Sequence, residues 1–169
     1  NGSFSLASPE GNRVIRLEGL PNPWSLEAVL YQSRDVIDVP FDLRSGQERD
    51  RIRLVLTDRA SRLVGVVQDE HGNAVTVRAI VALPVNSAYW RPGDRHIQLT
   101  YPDSSGRYEI VGLPAGVYLV AAVAGISAGD LYDLAIYQEI AAAGTEALIE
   151  VGETTTLDLV LTLERNRLA

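Results

Sequence analysis

Two histidines, His71 and His96, are the only imidazoles in a chain of 169 residues that has no cysteine. A catalytic zinc centre takes three protein ligands and keeps one position open, and its peptidase form needs a His-x-x-Glu pair with a distant histidine. His71 is followed at that spacing by Ala74, and His96 by Leu99. Both histidines therefore read as turn or surface residues. Nucleophilic catalysis lacks its pattern as well: the chain has no Gly-x-Ser-x-Gly elbow, and no serine shares a motif with either histidine. A glycine-rich phosphate loop is also missing from the sequence. The run Asp69-Glu70-His71-Gly72-Asn73 offers oxygens to calcium, but it lacks the Asp-x-Asp-x-Asp-Gly spacing of an EF-hand and reads as a plain β-turn. The expectation is a chain with no catalytic residue, no cofactor and no metal.

Aromatic side chains are the other chemical handle. Tyr89 and Trp90 lie in the irregular stretch Pro84–Asp94, and Trp24 follows Pro21-Asn22-Pro23. Exposed aromatics on loops can stack on sugar rings, so carbohydrate is a possible ligand. The competing reading is packing, with Trp24 closing the bottom of its domain and Trp90 lying on Tyr132 or Tyr137. Tyr108 and Tyr118 fall in strands and read as core or tyrosine-corner residues.

Charge removes one class of partner. The net charge is −7, the isoelectric point is near 4.8, and all 15 basic residues are arginines. Only Arg49, Arg51 and Arg53 alternate as if along one strand face. An acidic surface repels phosphate backbones, so no nucleic-acid partner is expected. No apolar run approaches the ~18 residues of a membrane span. Without an initiating methionine or a signal-peptide pattern, the chain reads as an excerpt from a longer protein.

The elements that must carry these residues are mostly strands, and 46% hydrophobic residues suffice for a core. Ser61–Gln68 and Val77–Leu83 read as a hairpin around the Asp69–Asn73 turn. Arg95–Tyr101, Arg107–Val111 and Val117–Val123 follow, broken by glycine and proline turns. Asp130–Ala143 breaks the pattern, with Leu131, Leu134, Ile136 or Tyr137, Ile140 and Ala141 at helical spacing. Asp130 or Asp133 could cap its start and Gly144 its end. In the last strand Leu157, Leu159 and Leu161 alternate with Asp158, Val160 and Thr162, which predicts a half-buried strand. Many short strands with such turns imply a β-sandwich.

The sequence also repeats. Ser105–Val120 (SGRYEIVGLPAGVYLV) has a shortened echo in Asn1–Leu17, and Ile52–Leu56 parallels Leu157–Leu161 about 105 residues later. The first copy enters at the equivalent of Ser105, so it lacks three opening strands and the helix. A half-sandwich exposes strand edges and an apolar face, which another chain or domain must cover.

Val64–Val75 (VGVVQDEHGNAV) and Asp103–Leu119 (DSSGRYEIVGLPAGVYL) resemble the two signature stretches of carboxypeptidase regulatory-like domains, "G-x-V-x-D-x-x-G-x-P-V" and "D-x-x-G-x-F/Y-x-I-x-G-L-P-P-G-x-Y-x-L". The resemblance implies an all-β, transthyretin-like Greek-key sandwich over residues 59–164, with one short helical insertion. A truncated copy of a similar sandwich precedes it over residues 1–58, and residues 165–169 form a tail. Ala74 stands where the pattern has proline, so that turn is expected to be looser. The resemblance implies an accessory, non-catalytic module of a secreted or cell-envelope protein. Its partner would be another protein chain or further domains of the same polypeptide, met through strand edges and apolar faces. Phe4 and Leu6 in one strand, and Val14, Ile15 and Leu17 in another, are the expected interface residues. Carbohydrate binding through Trp24, Tyr89 or Trp90 is the alternative.

Overall fold

The computed structural model describes residues 2, 4, 11–42, 52–76 and 78–161. The chain divides into two compact units, Asn1–Asp58 and Arg59–Ala169.

In the first unit, β1 (Asn12–Arg13) pairs antiparallel with β4 (Phe41–Asp42). β2 (Ser25–Tyr31) lies between β3 (Arg34–Asp35) and β5 (Arg53–Thr57). Gln32 and Ser33 join β2 to β3 at φ 48° and 64°, the left-handed geometry that lets a two-residue hairpin loop follow the strand twist. Val29, Val36, Ile37 and Phe41 form a small core, against which Ile15, Leu26, Tyr31, Ile52 and Leu54 pack.

Of the strand expected at Phe4–Leu6 only Phe4 is among the described residues, so that expectation falls outside them; Val14–Leu17 is described and forms no strand. Leu6 lies outside those residues. Residues 14–17 are held by side chains instead of a ladder: Ile15 packs against the core, and the Arg16 guanidinium donates to the Ile37 carbonyl at 2.6 Å.

The second unit is a Greek-key sandwich. One sheet contains β7 (Ala79–Pro84), β8 (Gln98–Thr100), β10 (Gly116–Val123) and β11 (Thr145–Ile149) in the order β11-β10-β7-β8. The other centres on β6 (Arg62–Gln68), flanked by β9 (Arg107–Val111) on one side and by β12 (Thr154–Thr156) and β13 (Leu159–Val160) on the other. β7 and β10 are neighbours although β8 and β9 lie between them in sequence, which is the Greek-key crossing.

The expected β6–β7 hairpin is therefore wrong, since the two strands belong to different sheets. Every residue of β7 is buried, because Ile80 and Ala82 face the sandwich interior while Ala79, Val81 and Leu83 face a second core. A strand apolar on both sides needs a central position with cover above and below. α1 (Leu134–Ala143) supplies that cover with Ile136, Tyr137 and Ile140.

The helix starts four residues later than its pattern suggests. Asp130 and Ser127 cap a 3-10 turn over Ala128–Tyr132, and Asp133 then caps α1 by accepting from the Ala135 amide at 3.0 Å. Leu134 is consequently the first helical residue and is exposed, not part of the buried stripe. Gly144 caps the end of the helix, and a Cβ there would lie 2.8 Å from the Leu119 Cβ, so only glycine fits.

The Ala74 turn is not loose. Asp69 holds it from both ends, and Ala74 bridges to Gln68.

The final edge strand is split. β12 and β13 both run parallel to β6, and at the break the Leu157 amide bonds the Val64 carbonyl at 2.8 Å. The next amide of β6 on that side, Val66, donates to the Asp158 carboxylate at 3.0 Å in place of a ladder bond. The Leu157 carbonyl turns over Gly65 and accepts from the Tyr108 hydroxyl at 2.6 Å. Burial first, and Asp158 second, push the Tyr108 phenol well above its usual range, so it remains a donor. Leu159 is buried and Val160 exposed, as the sequence alternation predicts. By the repeat β5 is the counterpart of β13, yet it pairs antiparallel with β2 where β13 lies parallel to β6.

A Cβ on Gly65 would stand 1.8 Å from the Leu157 carbonyl oxygen, so Gly65→Ala must push β12–β13 off the sheet. The expected loss is ~3 kcal/mol or more by chemical denaturation. Tyr108→Phe, which strands that carbonyl, should cost about 1–3 kcal/mol. A Gly65→Ala variant as stable as the parent chain would refute this account of the break.

Candidate functional site

The loop between β7 and β8 carries Tyr89, Trp90 and His96 of the residues singled out for chemistry. Asn86 starts it by accepting from the Ala88 amide at 3.1 Å, capping a 3-10 turn over Ser87–Tyr89. Trp90 turns inward, with its indole N–H donating to the Pro84 carbonyl at 2.7 Å and its ring standing edge-on to Tyr137. Trp90 is thus a packing residue of the helix layer, and Tyr137 is its partner. The Tyr137 hydroxyl donates to the Leu131 carbonyl, and burial, then Asp94, raises its pKa.

His96 is not a surface residue. It is buried, its ring stacks on Tyr89 with centroids 3.9 Å apart, and its Nδ1 lies 2.7 Å from an Asp94 carboxylate oxygen. That same oxygen accepts the His96 amide at 3.1 Å, and the other accepts from Arg91 at 3.2 Å. A carboxylate–imidazole pair orients a general base in many enzymes. Here the ring face is covered by Tyr89 and the carboxylate also ties down Arg91 and backbone, so the arrangement fixes the loop. Only the Asp-x-His spacing hints at the pairing in the sequence.

The acidic turn read against calcium binding has its carboxylate occupied. Asp69 Oδ1 accepts from the His71 and Asn73 amides, each at 2.8 Å, and Oδ2 accepts from the Asn73 side chain. Asp103 does the same four residues ahead of Arg107, accepting from the Ser105 amide at 2.8 Å and the Arg107 amide at 3.1 Å. Each turn has a glycine at its fourth position with positive φ, Gly72 at 81° and Gly106 at 77°. The two Asp-x-x-Gly segments are one construction used twice.

What remains for recognition is apolar and exposed. In the first unit Phe4 and Val14 are exposed, Leu17 is half-buried, and Ile15 belongs to the core. Trp24 does not close the bottom of its domain; it stays 45% exposed. In the second unit α1 covers only part of its sheet face. Beyond its end, Val85, Val117 and Leu148 remain 47%, 37% and 57% exposed. Val117 lies opposite Leu148 in the β10–β11 register, and its carbonyl accepts from the Val85 amide at 2.9 Å. The three form an apolar row across three strands. Sequence reasoning missed it because each residue is ordinary in its own strand, and only pairing aligns them.

No protein-family model and no curated protein matches the chain. Among solved structures it is similar to the Streptococcal ancillary pilin, at 15% identity over 92% of this chain and 46% of that one, with a TM-score of 0.43. It is also similar to the minor pilin of Streptococcus agalactiae, at 14% identity over 77% of this chain and 60% of that one, TM-score 0.39. A third is the Bacillus anthracis TIE protein, at 14% identity over 73% of this chain and 20% of that one, TM-score 0.38. The chain spans 20%, 40% and 46% of the first solved structures it matches. Likeness this distant carries no argument about activity or partners.

The two aspartate turns give a pH dependence. Hydrogen bonds from Asn73 and from Ser105 hold the Asp69 and Asp103 carboxyls below the ordinary value of 3.8. Their contribution is complete above the unfolded-state pKa and is lost as pH falls through the lower folded-state values. Between about pH 5 and pH 2 the parent chain should therefore lose more thermal stability than the Asp69→Asn/Asp103→Asn variant. Parallel melting curves for the two chains would contradict this.

Proposed function

We propose that the chain is a non-catalytic structural and interaction module of a secreted or cell-envelope protein, its second unit a carboxypeptidase regulatory-like sandwich. It acts by packing an apolar surface on another protein chain or on a further domain of the same polypeptide. The observation that carries this reading is the uncovered row of Val85, Val117 and Leu148 beside α1. Aligned apolar side chains on a rigid sheet are the kind of surface that association buries. Phe4, Val14 and Leu17 are further contact candidates, with Leu6 among them from outside the described residues. Ile15 supports them from the core, so charge substituted there would damage the unit itself.

A second reading keeps one observation of its own. Trp24 is exposed next to two prolines, which suits stacking on a sugar ring, whereas Trp90 is committed to packing and Tyr89 to His96.

A photoreactive benzoylphenylalanine placed at position 148, in cells producing the protein, should give covalent adducts to a protein surface. The same group at Glu109, on the outer face of the opposite sheet, should not. Absence of any adduct at position 148 overturns the interaction reading. For the second reading, quenching of tryptophan fluorescence by a polysaccharide that disappears in Trp24→Ala would favour sugar binding, and a flat titration across several glycans would remove it.

A further inference from the structure

Neighbouring strands lie ~4.8 Å apart, so the row Val85–Val117–Leu148 is ~10 Å long. Its repeat is close to the ~5–6 Å between positions i and i+3 or i+4 on a helix, and shorter than the ~6.7 Å between same-face residues of an extended strand. α1 already covers the rest of the same sheet face, with Ile136, Tyr137 and Ile140 on Val81, Leu83, Ala121 and Val123. A second helix beside it would complete the layer. Edge extension is disfavoured, because the Leu148 carbonyl of the edge strand β11 already accepts from the Thr155 hydroxyl at 2.8 Å.

The rim of the row is acidic. Glu146, opposite Leu119 in the register, is exposed on the same side as Leu148, and Glu150 follows two residues later, also exposed. α1 ends against Leu119, and its last turn has no basic residue, so its terminal carbonyls add partial negative charge there. A second copy of the chain, also carrying −7, would be repelled from this face.

Building on the interaction-module reading above, we propose that this face receives a basic amphipathic helix of a partner protein. Its apolar residues at i, i+3 or i+4, and i+7 would lie along Val85, Val117 and Leu148. Its flanking arginines or lysines would face Glu146 and Glu150.

The test uses the isotopically labelled full chain and two synthetic helical peptides with the same leucine stripe, one flanked by lysines and one by glutamates. The lysine peptide should shift amide signals of β10 and β11 and bind at least about tenfold more tightly than the glutamate peptide. Leu148→Asp makes the face more acidic but less apolar, and should weaken binding about tenfold, with signals elsewhere unchanged. Glu146→Gln/Glu150→Gln should weaken it as well. Unchanged or tighter binding by Leu148→Asp would mean unspecific charge attraction and would overturn the proposal. Equal binding of both peptides, or an inert double glutamine variant, would overturn the basic partner while leaving the apolar interface standing. A lysine–valine alternating peptide that bound more tightly than the helix would overturn the helical form. Failure of the crosslinking at position 148 is a separate outcome, and it would strike the interface itself.

Discussion

A β-sheet that is apolar on both faces cannot stand in water on either, and the second unit is arranged around that requirement. β7 and β10 alternate between two cores, one shared with the β6 sheet and one with α1. Burying a side chain of valine, leucine or isoleucine contributes roughly 1.5–3 kcal/mol, so neither face can be left open without losing much of a domain's net stability. The helical segment is therefore structural cover and no appendage. The β7–β8 loop belongs to the same layer, since its Trp90 and Ile97 pack against it. Where that cover stops, the sheet face shows what it is made of, and the exposed row is the result.

The opposite sheet depends on a smaller fit. Gly65 has no side chain, so the Leu157 carbonyl can enter above β6 and meet the Tyr108 hydroxyl. The chain then leaves the ladder for two residues, Asp158 substitutes its carboxylate for a backbone acceptor, and pairing resumes at Leu159. Within the break the Leu157 amide meets the Val64 carbonyl, the Leu157 carbonyl meets Tyr108, and the Val66 amide meets Asp158, so these polar groups keep partners where the ladder is interrupted.

Local rules were legible in the sequence wherever a residue's own chemistry decides. The aspartate–glycine turns, the tyrosine corner in which Tyr118 donates to the Pro114 carbonyl at 2.8 Å, the capped helix and the alternation around Leu159 all follow from neighbours a few positions apart. Pairing was less legible. Val77–Leu83 reads as a hairpin partner of β6 because the turn between them is short, but the apolar residues of β7 face both ways, and that pattern outweighs proximity. Val14–Leu17 has the composition of a strand, yet Arg16 is drawn to the Ile37 carbonyl and Ile15 to the core. The Tyr89–His96–Asp94 stack and the apolar row were invisible for the same reason, since both arise only when distant or weakly patterned residues are brought into register.

The split between β12 and β13 has one more effect. An intact outer strand offers a continuous row of amides and carbonyls on which a foreign chain can lay itself, and this is how sheets come to polymerise. A strand of three residues, an irregular pair and a strand of two cannot serve as such a template, because any newcomer would lose register at Leu157-Asp158. The same irregularity that seats a carbonyl over Gly65 thus keeps this side of the sandwich from growing into a fibre.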